Sequence, residues 1–499
     1  MDPAAPSLTA RRQRLLLAAV MSGLLLAMLD QTIVGTALPT IVRALHGDTL
    51  YVWVITAYLV PATVSLPVYA RLSDRYGRRP LLLFGMTVFV AGSALAATAQ
   101  TMEQLVLWRA TQGLGAGALE SLSFILVADL YRGQRSAALQ GALAGLMGVS
   151  FIAGPLVGGF LTDHVGWRSV FLVNLPIGIA AIVVVRAVLP GWVGRSERRG
   201  APLDLAGIAV LTAAVGLVLV GLSEHSQIPT PAWTDPRTGG LVLLGLLLVP
   251  VFVAVERRAA SPIVPMRLLA DRRVASILVA AATASFGLYA GVLLLPRYFQ
   301  LVRDVSATHS GLLIYPLLLG LLVAVNVGPM LIVRRGAFRG VLLGACAVAA
   351  AGALGFATFD ADTPDWQSLL FMAMIGAGIG PALSGLQIAI QRIVPPAQVG
   401  GAMGTTLLAR QIGGAVALAA AETIYASGLH DGGAADAATA TGTGVLVVSL
   451  VGTAIAAAAL LAIPRGGGRL PEIVPAPGAP GTRAPERVPA EPTSAIPVP

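Results

Sequence analysis

An aspartate lies within an apolar segment near the amino terminus. The run that begins at Leu15 contains MLDQTIVGTALP, Met28 to Pro39, in which Asp30 and Gln31 stand among aliphatic side chains. Ionisable side chains in a membrane-spanning helix are costly, usually face a cavity or a partner, and often mark a substrate or proton path. At 1.5 Å per residue from Leu15, Asp30 lies ~22 Å from one face of a ~30 Å apolar core. A helix-end residue that reaches water is the alternative, and aspartate reaches poorly. We therefore interpret Asp30 as functional.

A second polar face lies on the segment that begins at Trp108. Arg109, Gln112, Ala116 and Glu120 follow one another at i, i+3, i+7 and i+11, which places them on one side of a helix. This helix runs opposite to the first, so Arg109, ~8 Å below the outer surface, is about level with Asp30. We predict an ion pair between them that lowers the cost of both charges and makes protonation depend on conformation. A static structural pair is the alternative.

Other polar residues are candidates for a substrate cavity. Glu120, near the inner mouth, would accept protons or face a cationic compound, with a solvated cavity residue as the alternative. Arg410, ~15 Å into its span, would pair with an acid or bind an anionic group, and Glu422 lies near an outer end, where a mouth residue is the alternative. The complete set comes from three segments: Gln31, Gln112, Glu120, Arg410, Gln411 and Glu422.

The elements that must position these residues are membrane-spanning helices. The 499 residues are 56% hydrophobic and 11% charged, with a mean hydropathy of +0.81, and the apolar runs are of bilayer length. We interpret the first run as a retained helix, since no cleavage site follows a short apolar segment. The composition predicts an all-α polytopic membrane protein with fourteen spans: 15–38, 50–69, 80–99, 104–129, 137–160, 168–190, 203–222, 239–255, 274–296, 309–332, 339–358, 367–391, 400–425 and 443–463.

The arginines predict the orientation. The net charge is +9 and there is no lysine, which excludes a Walker A loop and a lysine Schiff base. With the amino terminus inside, most arginines outside the spans fall on cytoplasmic segments, and the outer loops hold only Arg43, Arg168, Arg237, Arg297 and Arg303. This asymmetry predicts that both termini are cytoplasmic and marks the positive charge as a membrane signal, not a nucleic-acid one.

The distribution of basic linkers predicts the domains. Segments 195–202 and 256–273 flank spans 7 and 8, and removing that pair leaves six plus six. We predict a cytoplasmic amino terminus (1–14), a six-helix bundle (15–190), a linker region with spans 7 and 8 (191–273), a second bundle (274–463) and a disordered proline-rich cytoplasmic tail (464–499). The single Cys346 excludes an internal disulfide, and the five histidines show no metal-ligand spacing.

Two further motifs are glycine-rich or charged. The stretch ARLSDRYGRRPLL, Ala70 to Leu82, holds an aspartate that can interact with helix amino termini or arginines; on the alternative interpretation its arginines only mark the inner side. The stretch GVSFIAGPLVGG, Gly148 to Gly159, should bend at Gly154-Pro155 and pack closely at Gly158 and Gly159. A merely kinked packing helix is the alternative.

Together these motifs resemble the fourteen-helix drug–proton antiporter family of the major facilitator superfamily, over residues 12–464. LDQTIVGTALPTI is similar to its span-1 motif, ARLSDRYGRRPLL to its loop motif and LVLWRATQGLGAG to its span-4 motif; WRSVFLVNLPIG and ARQIGG are also typical. Two positions depart from the pattern, Ala70 and Ser150, where glycine is usual. Because both are small, we expect a mild change in packing.

The resemblance implies residue roles. It places Arg109 in proton coupling, with Asp30 as the proton acceptor. It implies a conformational latch on the cytoplasmic side formed by Asp74, Arg75, Gly77, Arg78 and Arg79, and an antiporter motif at Gly141, Gly154, Pro155, Gly158 and Gly159.

The resemblance also implies a function. We expect a monomeric, non-enzymatic antiporter of a bacterial cytoplasmic membrane that exports small hydrophobic or cationic compounds by alternating access. It would use the proton gradient and no cofactor or metal. The alternatives are an exporter of one metabolite or lipid, an uncoupled channel or receptor, and, least favoured, an integral membrane enzyme.

Overall fold

The apolar segments fold as helices that satisfy their own backbone hydrogen bonds, as lipid requires. The computed structural model describes residues 9–47, 50–131, 133–191, 204–225, 233–259, 264, 266–395, 399–429 and 433–464. Within these residues, thirteen helical segments are long and apolar enough to cross a membrane. The helix Gly133–His164, of 32 residues, corresponds to the remaining expected span. The proline-rich tail from 465 onward, residues 1–8 and the basic linker 195–202 lie outside the described residues.

The first half contains six spans built around a glycine-rich helix. They are α1 (Ala10–Leu45), α2 (Tyr51–Tyr76), α3 (Arg78–Ala97), α4 (Met102–Leu130), α5 (Gly133–His164), and a broken sixth span, α6 (Ser169–Leu172) with α7 (Asn174–Val188). Helix α4 packs on α2 and α3. A Cβ atom at Gly113 would lie 2.2 Å from the Tyr58 carbonyl oxygen, and one at Gly115 would lie 2.4 Å from the Phe89 nitrogen. Small residues on α4 therefore let three backbones approach closely.

The second half repeats this arrangement. Its spans are α11 (Arg272–Thr283) with α12 (Phe286–Leu301), α13 (Ala307–Leu313) with α14 (Tyr315–Arg335), α15 (Arg339–Gly355), α16 (Asp365–Ile393), α17 (Val399–Gly428) and α18 (Ala434–Leu461). Helix α16 packs on α14 and α15, as α4 packs on α2 and α3. The two halves thus share one order of neighbours, which is the pattern of an internal repeat.

A pair of helices is inserted between the halves. Helix α8 (Leu205–His225) packs on α9 (Leu241–Arg258), which a π-helical turn at Pro236–Gly240 precedes, and the short α10 (Met266–Leu269) follows. Helix α8 also contacts α2 and α17, one helix from each half. Most aliphatic side chains of α9, such as Leu243 and Leu247, are exposed. Exposed aliphatic side chains on a helix of this length are typical of a surface that faces lipid.

One arginine differs in position from the prediction. The sequence predicts Arg297 in an outer loop, but it lies inside α12, which continues through Pro296 to Leu301, and its side chain is buried. The Pro-Arg pair indicates a helix end by composition, yet a proline inside a span is tolerated when neighbouring helices satisfy the freed backbone group. We call the end that carries residues 98–101 and 302–306 the outer end, following the arginine distribution.

Candidate functional site

The carboxylate of Asp30 lies at the centre of a buried polar network. The side chain is 0% exposed. Its Oδ2 accepts a hydrogen bond from Arg109 Nη1, and its Oδ1 accepts from Gln112 Nε2 at 2.8 Å and from Asn174 Nδ2 at 2.9 Å. The ion pair predicted between the first and fourth spans is present. Three donors satisfy both oxygens of this buried carboxylate, as a buried polar group requires.

Arg109 is fixed by contacts on every side. Its Nε donates to the carbonyl oxygen of Val54 at 3.1 Å, and its Nη1 also donates to Gln112 Oε1 at 2.7 Å. The guanidinium lies over the Tyr58 ring, 4.3 Å from the centroid, and 5.9 Å from that of Phe171. Each cation–π contact in a desolvated site is worth up to about 2 kcal/mol. The Asp30 carboxylate therefore neutralises the charge of Arg109, and the carbonyl and the two rings stabilise the guanidinium further.

Two network members, Asn174 and Ser93, do not figure among the predicted site residues. Asn174 is the first residue of α7, where the sixth span breaks, and Ser93 lies on α3. The Ser93 hydroxyl accepts from Gln112 Nε2 at 2.6 Å and from Asn174 Nδ2 at 3.1 Å. An asparagine followed closely by a proline inside an apolar run was the available signal. The network draws on α1, α3, α4 and α7, so it belongs to the first half alone.

Glu120 joins the two halves of the molecule. It is 1% exposed; its Oε1 accepts from Gln31 Nε2 and its Oε2 from Gln411 Nε2, both at 3.2 Å. The solvated alternative is therefore wrong. Arg410, half-buried on α17, is close enough to interact electrostatically with Glu120. The two amides that hydrogen-bond to Glu120 come from different halves, so these contacts depend on how the halves are placed relative to each other.

Arg410 also lines an apolar pocket in the second half. The pocket lies between α11, α16 and α17, and its other walls include Ala281, Ala382, Leu386 and Thr406. Arg410 is its charged residue. The cavity is ≈ 10 Å³, about the space of one water molecule, and the pairing of Arg410 with an acid or an anionic group stays a prediction.

Glu422, toward the outer end of α17, is buried and paired with an arginine. Its Oε1 accepts from Arg297 Nη1 at 2.9 Å, and both residues are less than a tenth exposed. Because this arginine was expected in a loop, the pair was not anticipated. The two residues lie on α17 and α12, so the second half has a buried acid–arginine pair of its own.

The loop motif between α2 and α3 ties the inner ends of several helices together. Arg78 donates from Nε to Asp129 Oδ2 at 2.9 Å and from Nη1 to Ser73 Oγ at 2.8 Å. Arg79 Nη2 donates to the carbonyl of Arg186 at 2.7 Å. These contacts hold the loop against α4 and α7. The Asp74 side chain lies outside the described residues.

Two other members of this motif have local roles. Gly77 has φ = 92°, a conformation that L side chains rarely adopt, which explains the glycine between the two helices. The guanidinium of Arg75 lies over the Tyr76 ring, 5.5 Å from its centroid, and both side chains are exposed. Arg75 therefore makes no described contact with another helix, unlike Arg78.

The glycines of the antiporter motif are points of backbone contact. A Cβ at Gly154 would lie 1.8 Å from Thr32 Oγ1, one at Gly158 would lie 2.6 Å from the Ile33 oxygen, and one at Gly159 would lie 2.6 Å from the Ala307 oxygen. Pro155 meets the second half through its carbonyl, 2.5 Å from a Cβ placed at Gly311. At these glycines, α5 therefore packs directly against α1 and α13. The surroundings of Gly141 lie outside the described residues.

Ser150, the departure from the family pattern, is accommodated within α5. Its hydroxyl donates to the Leu146 carbonyl at 2.8 Å, four residues earlier in the same helix. Its own carbonyl accepts from the Thr32 hydroxyl at 3.0 Å. The hydroxyl is satisfied internally, so the serine leaves the contact between α1 and α5 intact.

Sequence comparison finds transporters. Residues 20–418 match the family described as Major Facilitator Superfamily. The chain is 32% identical over 399 residues to the multidrug transporter protein MdtP of Bacillus subtilis, covering 79% of this chain and 73% of that one. It is 31% identical over 417 residues to the tetracenomycin C resistance and export protein of Streptomyces glaucescens, covering 83% and 76%.

Structure comparison finds the same fold in more distant proteins. The nucleoside transporter NupG aligns with a TM-score of 0.62 at 13% identity, covering 90% of this chain and all of that one. An inward-facing, unoccupied bacterial homolog of the human lysosomal transporter Spinster aligns with a TM-score of 0.61 at 15% identity, covering 93% and 100%. The repeated six-span halves, the sequence relatives and these folds agree, and the chain belongs to the Major Facilitator Superfamily.

Proposed function

We propose that this carrier exports small hydrophobic or cationic compounds across the bacterial cytoplasmic membrane in exchange for protons. Its relatives include a multidrug transporter protein, a multidrug resistance protein, and a tetracenomycin C resistance and export protein. The protein would act as a monomer with both termini in the cytoplasm, without chemically altering its cargo. The observation that carries proton exchange is the fully buried Asp30 carboxylate on Arg109.

A proton on Asp30 would change the balance of charge inside the first half. Ionised Asp30 neutralises Arg109, and both are almost completely shielded from solvent. A protonated carboxyl leaves the arginine buried without its counter-ion, which is costly in a low-dielectric environment. The protein then gains from a conformation in which Arg109 finds water or another acceptor. The proton therefore shifts the equilibrium between conformations, as alternating access requires.

Glu120 is the best candidate to recognise a cationic compound. It lies on the same helix as Arg109, and Gln31, one of its two amide partners, directly follows Asp30 in the chain. A cationic group is a stronger partner for a carboxylate than an amide at 3.2 Å. A bound cation would displace Gln31 or Gln411 and so act on both halves. Binding and proton release would then be linked through two adjacent residues of α1.

The substitution Asp30→Asn tests the proposal. Asparagine keeps the shape and one acceptor oxygen but cannot carry a proton, so substrate-driven proton release should be lost while the protein still folds. We would measure proton movement with a pH-sensitive dye in inverted membrane vesicles energised by respiration, adding ethidium as the cationic substrate. Asp362→Asn, which changes an exposed carboxylate, is the matched control and should behave as wild type. Proton release by Asp30→Asn equal to that of the control would refute the assignment.

A narrower substrate range is the second candidate function. The export protein for tetracenomycin C is 31% identical to this chain, so a dedicated exporter of one natural product is consistent with the relatives. Susceptibility to a panel of cationic dyes and antibiotics, with metabolite profiling of the medium, separates the two. Resistance to several unrelated cations supports the broad proposal, and secretion of one compound alone supports the narrow one.

A further inference from the structure

The buried pair in the second half is less completely satisfied than the pair at Asp30. Arg297 and Glu422 share one hydrogen bond of 2.9 Å. Among the described residues, Glu422 Oε2 and Arg297 Nε have no hydrogen-bond partner although they are buried. In the part of the chain that the structure describes, Arg297 is held by a single hydrogen bond to Glu422, whereas Arg109 makes three hydrogen bonds, to Val54, Asp30 and Gln112.

Two tyrosines enclose the guanidinium of Arg297. Tyr51 lies 4.3 Å and Tyr425 4.2 Å from it, measured from ring centroid to Cζ. Tyr425 belongs to α17, in the same half as the arginine, whereas Tyr51 is the first residue of α2, in the other half. The contact between Tyr51 and Arg297 thus crosses the interface between the halves. Glu422 holds the guanidinium where Tyr51 can meet it.

A hydrogen bond close by crosses the same interface. Gln300, three residues after Arg297 on α12, donates from Nε2 to the carbonyl of Thr36 on α1 at 2.9 Å. Both contacts are near the outer end of their helices, since α12 ends at Leu301 and α2 begins at Tyr51. Opening the outer end must separate α2 and α1 from α12. The cation–π contact is therefore broken whenever the outer side opens.

Helix α2 also carries the contacts of Arg109. The Val54 carbonyl accepts from Arg109 Nε, and the Tyr58 ring lies under its guanidinium. Tyr51 and Tyr58 are seven residues apart, two helical turns, and so lie on the same side of α2. One rigid helix therefore contacts the arginine of each buried pair, through one tyrosine for each.

We propose that Tyr51, Arg297 and Glu422 form an outer gate between the halves, and that α2 couples this gate to the Asp30–Arg109 pair. Glu422 is a positioning residue: it orients Arg297 toward Tyr51. Within the described part of the chain, Arg297 forms the ion pair with Glu422, and the titratable side chains of Tyr51 and Tyr425 face that arginine. When Asp30 takes a proton, Arg109 shifts against Val54 and Tyr58, α2 moves, and Tyr51 changes its contact with Arg297. The coupling rests on the proposed function; the gate does not.

Accessibility of a single thiol tests the gate. The only cysteine, Cys346, is replaced by alanine, and Val292→Cys places a reporter on α12 where Val292 contacts Gly35 of α1. A membrane-impermeant maleimide then labels right-side-out vesicles. Tyr51→Leu removes the ring and should speed labelling roughly tenfold, whereas Tyr51→Phe keeps the π face and should stay within about twofold of the parent. The double variant Arg297→Met with Glu422→Gln, which leaves no unpaired charge, should also label faster.

The coupling is tested by combining variants. Asp30→Asn is added to Tyr51→Phe and, separately, to Tyr51→Leu. Asp30→Asn should change the labelling rate of Tyr51→Phe, which keeps the ring, and should leave the labelling rate of Tyr51→Leu unchanged. Parent-like labelling of both Tyr51→Leu and the double variant overturns the gate. An equal effect of Asp30→Asn in both backgrounds overturns the coupling. Because labelling requires no transport, a failure of substrate-driven proton release in wild type would refute the proposed function and leave the gate result standing.

Discussion

Three buried acids of this molecule differ in how their oxygens are satisfied. Asp30 receives three hydrogen bonds, including one from a guanidinium; Glu120 receives two from amides; Glu422 receives one, from Arg297. The complete shell of Asp30 satisfies both oxygens of its carboxylate. The sparse shell of Glu120 suits an acid that exchanges partners. Residue type alone would not separate these roles.

Asn174 should contribute to the stability of the first half. Asn174→Leu removes one donor to Asp30 Oδ1 and one to Ser93, so we expect the free energy of unfolding to fall by about 1–3 kcal/mol. Thermal unfolding in detergent measures this change. Asn326→Leu is the control, since that asparagine is exposed and bonds only within its own helix. An equal loss of stability in Asn174→Leu and Asn326→Leu would mean that the hydrogen bond to Asp30 does not contribute to the free energy of unfolding.

The pairing of Asp30 with Arg109 is predictable from sequence because helical rise and opposite chain direction fix the depth of residues in a span. The contact of Asn174 with Asp30 is not, since Asn174 lies at the break between α6 and α7. The contact of Gln411 with Glu120 was also out of reach. It depends on how two separately folded halves are placed, and no local pattern encodes that distance.

At the scale of elements, α5 packs closely on α13 across the interface between the halves. Gly159 and Gly311 stand where any side chain would meet backbone oxygen of the facing helix, at 2.6 and 2.5 Å. Neighbouring Asp163 accepts from the Ala307 amide at 3.2 Å and the Thr308 amide at 2.7 Å, at the start of α13. Close packing and a charged cap therefore act on the same pair of helices. The glycine motif was recognisable from sequence, but its partner helix was not.

A larger residue in the glycine motif should hold the outer end open. Gly159→Val pushes α5 away from Ala307, because backbone cannot yield as a flexible side chain does; we expect a loss of about 1–3 kcal/mol in stability and faster labelling of the Val292→Cys reporter. Gly344→Val is the control, since nothing lies within 4 Å of its Cβ position. Slow labelling with unchanged unfolding temperature in Gly159→Val would contradict the packing argument.

The cap at Asp163 should make closure sensitive to acid on the outer side. Partial burial opposes the charge, but hydrogen bonds from Thr308, Ser306 and Ala307 outweigh it and hold the pKa of this carboxyl, which follows the expected span 137–160, below its ordinary value. A lowered pKa means that the stabilisation is fully present above the ordinary pKa and is lost as the pH falls through the lowered one. Reporter labelling should therefore accelerate at strongly acidic external pH.

Asp163→Asn separates this effect from general acid damage. The variant should label faster than the parent at neutral pH and should not accelerate further in acid, because no proton binds at the cap. Asp362→Asn keeps the cap and should retain the acid response. An acid response that survives in Asp163→Asn would place the titrating group elsewhere.

At the scale of the whole molecule, the apolar runs and the arginine distribution were sufficient to predict an all-helical, repeated architecture. They were not sufficient for Arg297, whose assignment to a loop assumed that Pro296 ends a helix. Inside a bundle, tertiary contacts override such local signals. The pattern of spans does not predict the interface between the halves. Tyr51, Gln300 and Asp163 each make a contact across that interface.

The inserted helices have a consequence for the shape of the whole carrier. Two equivalent halves should meet along two comparable lines of contact. We call these the flanks: the first is at α2 and α17, and the second is at α5 and α14. Helix α8 contacts both α2 and α17, so it covers the first flank. A helix in that place would separate lipid tails from the contact between α2 and α17. The internal symmetry of the fold therefore does not extend to its perimeter, and the membrane meets two unlike sides of the same molecule.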